Sequence, residues 1–355
     1  MRRVAREGSG ATEKGCDQAK VVRRGRGMVG LSVLALAGVA LAALSLGRFT
    51  VPISEVAQAL LAGVSGAGTP AEQVMTVVLG VRLPRIFAAV LVGGALSIAG
   101  ASFQGLFRNP LVSPDLLGVS SGACVGAALA ILLGFSSQVI GLFAMVFGIV
   151  AVCLTMLIPR LFRNDSNLML ILSGVLVGGL MNSIIGFFKY IADPEDELAS
   201  IVYWTMGSLS AVRWDTIAGL VPLIVVPAIV LVAFSWRINL LTMGDKEAKA
   251  LGVNVRALRV LIIVCSTLLT STATCISGTI GWIGLIIPHF VRLMAGADNR
   301  FLLPLSITVG AMFLLVIDTL ARTITASEIP LSIFTGVIAV PLFIVLLAVK
   351  KPKVS

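Results

Sequence analysis

Four patterns in the 355-residue sequence have residue types and spacings suited to chemistry or recognition. Gly118-Val119-Ser120-Ser121-Gly122 fits G-x-S-x-G, in which a serine on a strand-to-helix turn is a nucleophile when a histidine and an acid lie close by. His289, the sole histidine, is the available base. Here the pattern opens an apolar run, where Gly and Ser at short spacing also serve close helix packing in lipid. An intramembrane serine protease is thus the enzyme reading, and packing the plainer one. Asp318 and Arg322 stand four apart, where a pair along one helix face contributes roughly 0.3 kcal/mol. An acid within a span is also the carrier that an ion-coupled secondary transporter uses. Arg82 and Arg85 flank Leu83-Pro84 at the start of another apolar run. Met243–Val253 reads MGDKEAKALGV, a short helix-forming stretch of mixed charge bounded by Gly244 and Gly252. A plain solvated helix and a lever for a cytoplasmic partner both fit it.

Other chemistries lack their residues. No Gly-Lys dipeptide occurs, so the phosphate-binding loop G-x-x-x-x-G-K-[ST] is absent and an ATP site of that kind must come from another chain. The five cysteines (Cys16, Cys124, Cys153, Cys265, Cys275) are scattered without a C-x-x-C pair, and a single histidine rules out a multi-histidine metal site within the chain. No metal site is expected. Asp193, Glu195, Asp196 and Glu197 match no calcium-loop spacing and read as a solvated turn.

The elements that carry these residues follow from composition. Apolar residues make up 57% and charged residues 12%, with a mean hydropathy of +1.03. Soluble domains carry about 25% charged residues, so lipid is the solvent for most of this chain. Ten apolar runs are expected to span: 28–47, 86–107, 116–134, 139–158, 168–188, 216–236, 257–278, 282–295, 301–320 and 333–349. The eighth is short. Each must be helical, because hydrocarbon offers backbone groups no partners. The basic, Gly-rich residues 1–27 read as a disordered tail, residues 28–351 as the membrane domain and residues 352–355 as a short end. The first run is long for a signal peptide, and Leu44-Ser45-Leu46 is a poor cleavage site, so it reads as an uncleaved span.

Basic residues fix the orientation. With ten spans both termini share a side, and 21 of the 27 Lys and Arg fall on that side. Both ends are therefore expected in the cytoplasm. The other six are Arg48, Arg82, Arg85, Lys189, Arg213 and Arg322. Cations on the depleted side read either as interfacial anchors or as a ring that docks an acidic partner and orients it. Gly118, Gly122 and Gly126, and again Gly174 and Gly178, are four apart, a spacing that lets helix backbones approach.

Longer strings carry a family resemblance. RLPRIFAAVLVGGALSIAGASFQGLFRNPLVSPDLLGVSSGACVG (Arg82–Gly126) and GTIGWIGLIIPHFVRLMAGADNRFLLP (Gly278–Pro304) resemble the two signatures of the permease family of iron–siderophore, haem and cobalamin ABC importers. The Gly244–Gly252 loop is similar to that family's coupling loop, and DTLAR…SEIPLSIFTGVIAVPLFI to its last two spans. The resemblance runs from about Met28 to Lys351. It implies an all-α integral membrane protein of about ten transmembrane helices per subunit, in a homodimeric (or close-paralogue heterodimeric) type II ABC importer of the bacterial cytoplasmic membrane. The implied partners are two ATP-binding subunits, which hold the ATP and magnesium, an extracytoplasmic substrate-binding protein and membrane lipid, with no nucleic acid and no cofactor in this chain. By position, Arg82, Arg85 and Arg322 would meet acidic residues of the binding protein. Gly244, Asp245, Glu247, Ala248, Leu251 and Gly252 would form the ATPase coupling loop, Ser166 and Asn167 would lie near an inner gate, and His289 would be structural. The implied cargo is a ferric siderophore, with haem or cobalamin as alternatives.

Overall fold

The computed structural model describes residues 4–65, 71–164, 166–325 and 327–349. Every regular element among them is helical, as a backbone in hydrocarbon requires. In chain order the first are α1 (Val4–Ser45), α2 (Ile53–Ser65) and α3 (Glu72–Met75), followed by a π-helical segment, Thr76–Arg82, that runs into α4 (Leu83–Phe107). Next come α5 (Val119–Leu132), α6 (Ser137–Leu161), α7 (Asn167–Ile191), α8 (Glu197–Thr205) and α9 (Trp214–Ala218). α10 (Val221–Ala233), α11 (Ser235–Met243), α12 (Asp245–Ala250), α13 (Val255–Ser277), α14 (Ile283–Ala295), α15 (Asn299–Ile324) and α16 (Leu331–Val349) complete the chain.

All ten expected apolar runs fall on helices. Among the described residues six helices are long and apolar enough to cross a membrane, and α10 with α11 makes a seventh if that pair, bent by 56°, is one span. α5, α14 and α16 are apolar but shorter. α14, with 13 residues, reaches only about 20 Å of the roughly 30 Å hydrocarbon core. The break before it carries left-handed backbone at Gly278 (φ 67°) and Trp282 (φ 72°).

Three features differ from the sequence reading. α1 begins at Val4, so most of the segment read as a disordered tail continues the first span as helix; a helix already nucleated in the apolar run needs only propagation. Residues 1–3 and 350–355, which include the short C-terminal end, lie outside the described residues. Second, α2 occupies a stretch read as an external loop. Third, the acidic turn continues into α8, whose Ile201 is fully buried. Its acids are used locally: Glu197 accepts from the Asp193 N–H at 2.9 Å, and Asp193 from Glu195 N–H at 2.9 Å.

α4 is the centre of the bundle. Of its apolar window 83% is buried, against 11% for α1, which lies at the periphery. α4 packs on α13, α14 and α15, and α15 carries α1. Small residues make this possible: a Cβ at Gly100 would stand 1.8 Å from the Gly284 carbonyl oxygen, and one at Gly93 2.4 Å from that of Gly310. α5, α6 and α7 form a second group, joined to the first where α6 meets α13. The expected glycine stripe acts here. A Cβ at Gly126 would lie 2.3 Å from the Phe143 carbonyl oxygen, and one at Gly174 1.9 Å from that of Leu116, while Gly178 faces open space.

Candidate functional site

Two clusters stand at opposite ends of α4. The first gathers Arg82, Arg85, Asp318, Arg322 and Glu328. The π-helical segment and Pro84 in the first turn of α4 set the two leading arginines; π-helix is rare and is found frequently at functional sites. Arg85 binds Asp318 of α15 through Nε, 2.9 Å from Oδ1 and 3.0 Å from Oδ2, and through Nη2 at 2.8 Å. Its Nη1 donates to Glu328 at 2.8 Å. Asp318 is fully buried, and Arg82, Arg85 and Arg322 are 4%, 6% and 8% exposed. These arginines are therefore not an open ring of cations: each is turned inward.

Arg82 and Arg322 have a shared physical reason to be there. The last carbonyls of a helix lack intrahelical partners and carry negative partial charge. Arg82 donates to the carbonyls of Leu44 (2.5 Å), Ser45 (3.2 Å) and Phe49, and Arg322 to that of Ala43. The two arginines thus cap the C-terminal end of α1. The pairing expected between Asp318 and Arg322 is present but stretched, at 4.0 Å; Arg85, 233 residues away in sequence, takes both carboxylate oxygens. Three arginines face two carboxylates, and among the described residues Arg322 Nε and Glu328 Oε2 have no hydrogen-bond partner.

The second cluster surrounds α12. Gly244 (φ 141°) and Gly252 (φ 79°) bracket it, as their spacing suggests. The φ of 141° is what requires glycine at Gly244; a Cβ there would also meet Glu247 Oε2 at 1.8 Å, but that is the end of a flexible, exposed side chain that can swing aside. α12 buries Ala248 and exposes Lys246, Glu247, Lys249 and, just beyond it, Leu251. Asp245 is held by Arg108 at the end of α4 and by Arg259 of α13, the latter at 3.1 Å. Arg108 Nε also donates to the Leu241 carbonyl at 2.8 Å. One helix earlier, Asn239 donates to Asp298 at 2.7 Å and accepts from the Asn299 N–H at 2.8 Å, tying α11 to the start of α15.

Ser166 caps α7 by accepting from the Met169 N–H at 3.2 Å. It lines a small cavity with Arg160, Arg256 and Arg259; Asn167 follows it as the first residue of α7. The protease constellation is not assembled: Ser120 donates to Asp115, and His289 lies edge-on to Phe343 with ring centroids 5.3 Å apart. The sequence reading missed Arg108, Arg259, Glu328, Asn239 and Asp298. Arg108, Asp298 and Glu328 stand inside the quoted family strings, and their charge near a proline or a span end is the one signal that could have found them.

A bundle of apolar helices around a small-residue core, with charged clusters at the two ends of its central helix, defines a polytopic helical membrane protein. The family model of the FecCD transport family matches residues 34–349, and the chain belongs to that family. It is 41% identical over 320 residues to the molybdate import system permease protein MolB of Haemophilus influenzae, covering 90% of this chain and 94% of that protein. It is 38% identical to the hemin transport system permease protein HmuU of Yersinia pestis, covering 75% and 81%. Among solved structures, one described as an inward-facing metal-chelate type ABC transporter superimposes with a TM-score of 0.82 at 38% identity, covering 91% of this chain and 99% of that one. The chain is thus an ABC importer permease, which removes the protease and secondary-transporter readings.

Proposed function

We propose that the chain is the membrane-spanning subunit of an ATP-driven importer that carries a metal-bearing chelate or anion across the bacterial cytoplasmic membrane. It works as a dimer of ten-span subunits with both termini in the cytoplasm. Two ATPase subunits bind the cytoplasmic face, each receiving one α12, and a loaded binding protein docks on the opposite face. ATP-driven closure of the ATPases moves the two α12 helices and opens the path between the subunits to the other side. Ser166 and Asn167 stand at its inner mouth. The observation that carries this reading is α12 itself, an exposed helix of mixed charge bound by Asp245 to two core helices.

Docking uses the outer arginine cluster. The excess of one positive charge, and an Arg322 Nε without a hydrogen-bond partner among the described residues, suit an incoming carboxylate. Glu328 is the group such a carboxylate displaces first: its side chain is 28% exposed, against 0% for Asp318.

The cargo suggested by the signature strings is a ferric siderophore, with haem or cobalamin as variants. The similarity to MolB over nine-tenths of the chain favours a second reading, molybdate, which the signatures alone do not suggest. Among the described residues the charged clusters on α4 lie at its two ends, and a path that binds weakly lets cargo leave. The discriminating experiment loads the cognate binding protein with a ferric siderophore, haem, cobalamin or molybdate and measures ATP-dependent uptake into proteoliposomes. Uptake of ferric siderophore supports the first reading and uptake of molybdate the second; uptake of none of the four overturns the metal-cargo reading.

A further inference from the structure

We infer that Arg108 is a positioning residue that makes α4 follow α12, so that motion imposed at the cytoplasmic face reaches the outer arginine cluster through one helix. The inference rests on the reading of α12 as the ATPase contact.

Arg108 terminates α4 in the left-handed conformation, with φ 54°. That position normally belongs to glycine or asparagine, because a Cβ crowds the following carbonyl oxygen there. The side chain does what glycine cannot. It donates to the Leu241 carbonyl of α11 and to Asp245 Oδ1, while Arg259 of α13 takes Asp245 Oδ2. One carboxylate at the start of α12 is thus shared by the ends of two core helices.

Magnitude decides what this arrangement is for. The Arg108 and Asp245 side chains are 38% and 41% exposed, and exposed pairs of this kind contribute little to stability. The pair therefore does not outweigh the backbone cost of arginine at this position. Its consequence is geometric. α4, with 25 residues, is roughly 37 Å long, and its other end carries Arg85 bound to Asp318 of α15. The start of α15 returns through Asp298 and Asn299 to Asn239 of α11, and α11 supplies the carbonyl that Arg108 holds. α4, α15 and α11 form a closed frame, and Asp245 attaches α12 to it.

The test is Arg108→Gly in the complete transporter, with Arg108→Lys as the conservative variant. Glycine suits the backbone, so the thermal midpoint of the complex is expected to hold or rise while cargo imported per ATP hydrolysed falls by about fivefold or more, the lower end of inter-site coupling. Arg108→Lys keeps a cation near Asp245 and is expected to restore most of that ratio. An unchanged ratio in Arg108→Gly overturns the inference. So does a fall in thermal midpoint that accompanies the loss, because Arg108 would then be only structural. Lys246→Cys separates the two levels. If it forms no cross-link to the ATPase in the otherwise native complex, the reading of α12 as ATPase contact fails. If it cross-links while Arg108→Gly leaves the ratio intact, the role of Arg108 alone fails.

Discussion

Arg85 of α4 grips both carboxylate oxygens of Asp318 of α15, with Nε 2.9 and 3.0 Å from them, in a site where the acid has no exposure to solvent. A bidentate arginine–carboxylate pair is the geometry that compensates buried charge best, and it joins the two helices at the core of the bundle. The pair gives Asp318 a structural task and withdraws it from the carrier role that its place in a span suggests.

Removing one partner leaves the other charge buried and uncompensated, which costs about 3–5 kcal/mol. Asp318→Asn is therefore expected to lower the thermal midpoint of the detergent-solubilised protein sharply. The double variant Arg85→Met, Asp318→Leu, which removes both charges, is expected to recover most of the loss. Size-exclusion analysis after a heating series checks this, and a double variant as unstable as the single one contradicts it.

Glu328→Gln is expected to act in the opposite sense on docking. It removes the charge of the half-buried carboxylate that competes for Arg85 while the Asp318 bridge stays. The affinity of the binding protein at low salt should rise about threefold to tenfold, since a tenfold change corresponds to 1.4 kcal/mol. Surface plasmon resonance over a salt series reads the effect. Weakened docking would show that Glu328 is itself a contact rather than a competitor.

Gly244→Ala meets a backbone at φ 141°, which an L side chain rarely adopts, while the exposed Glu247 side chain near the Cα can swing aside. Alanine where the backbone requires positive φ destabilises by more than about 1 kcal/mol. Hydrogen exchange is expected to show lost protection across α12, with the spans unchanged. Retained protection would mean that the Gly244 turn does not hold α12 in place.

Asp298 supplies a pH dependence. Burial works against its charged form, yet hydrogen bonds from the Arg300 side chain and N–H and from Asn239 outweigh this and hold its carboxyl below the usual carboxylate range. A carboxyl depressed on folding contributes stability that is complete above its unfolded value and lost as pH falls through its folded value. Asp298→Asn keeps a capping side chain but removes the charge. Its thermal midpoint is expected to fall less steeply with acid than that of the native chain, and identical acid limbs would contradict the assignment.

The sequence made the solvent, the helices and the bracketed α12 readable, because each rests on local pattern: apolar runs of span length, and Gly244 and Gly252 around a short charged stretch. The arginines were legible as an anomaly of topology but not in their partners. Asp318 is 233 residues from Arg85, and the carbonyls that Arg82 holds are more than 30 residues away, separated by α2, which no apolar run of span length announces. Arg108 was hidden for a related reason. Its contacts lie across a tertiary fold, and its left-handed backbone runs against the preference that a reader of sequence applies to arginine.

The most direct test of the account is uptake into proteoliposomes holding the permease and its ATPase subunits, with loaded binding protein outside and ATP inside. Import that needs both ATP and the binding protein, and that stops when the ATPase is blocked, is the expected result. Import that proceeds equally without ATP would contradict the account, because the chain would then move its cargo without the ATPase that the proposed function requires.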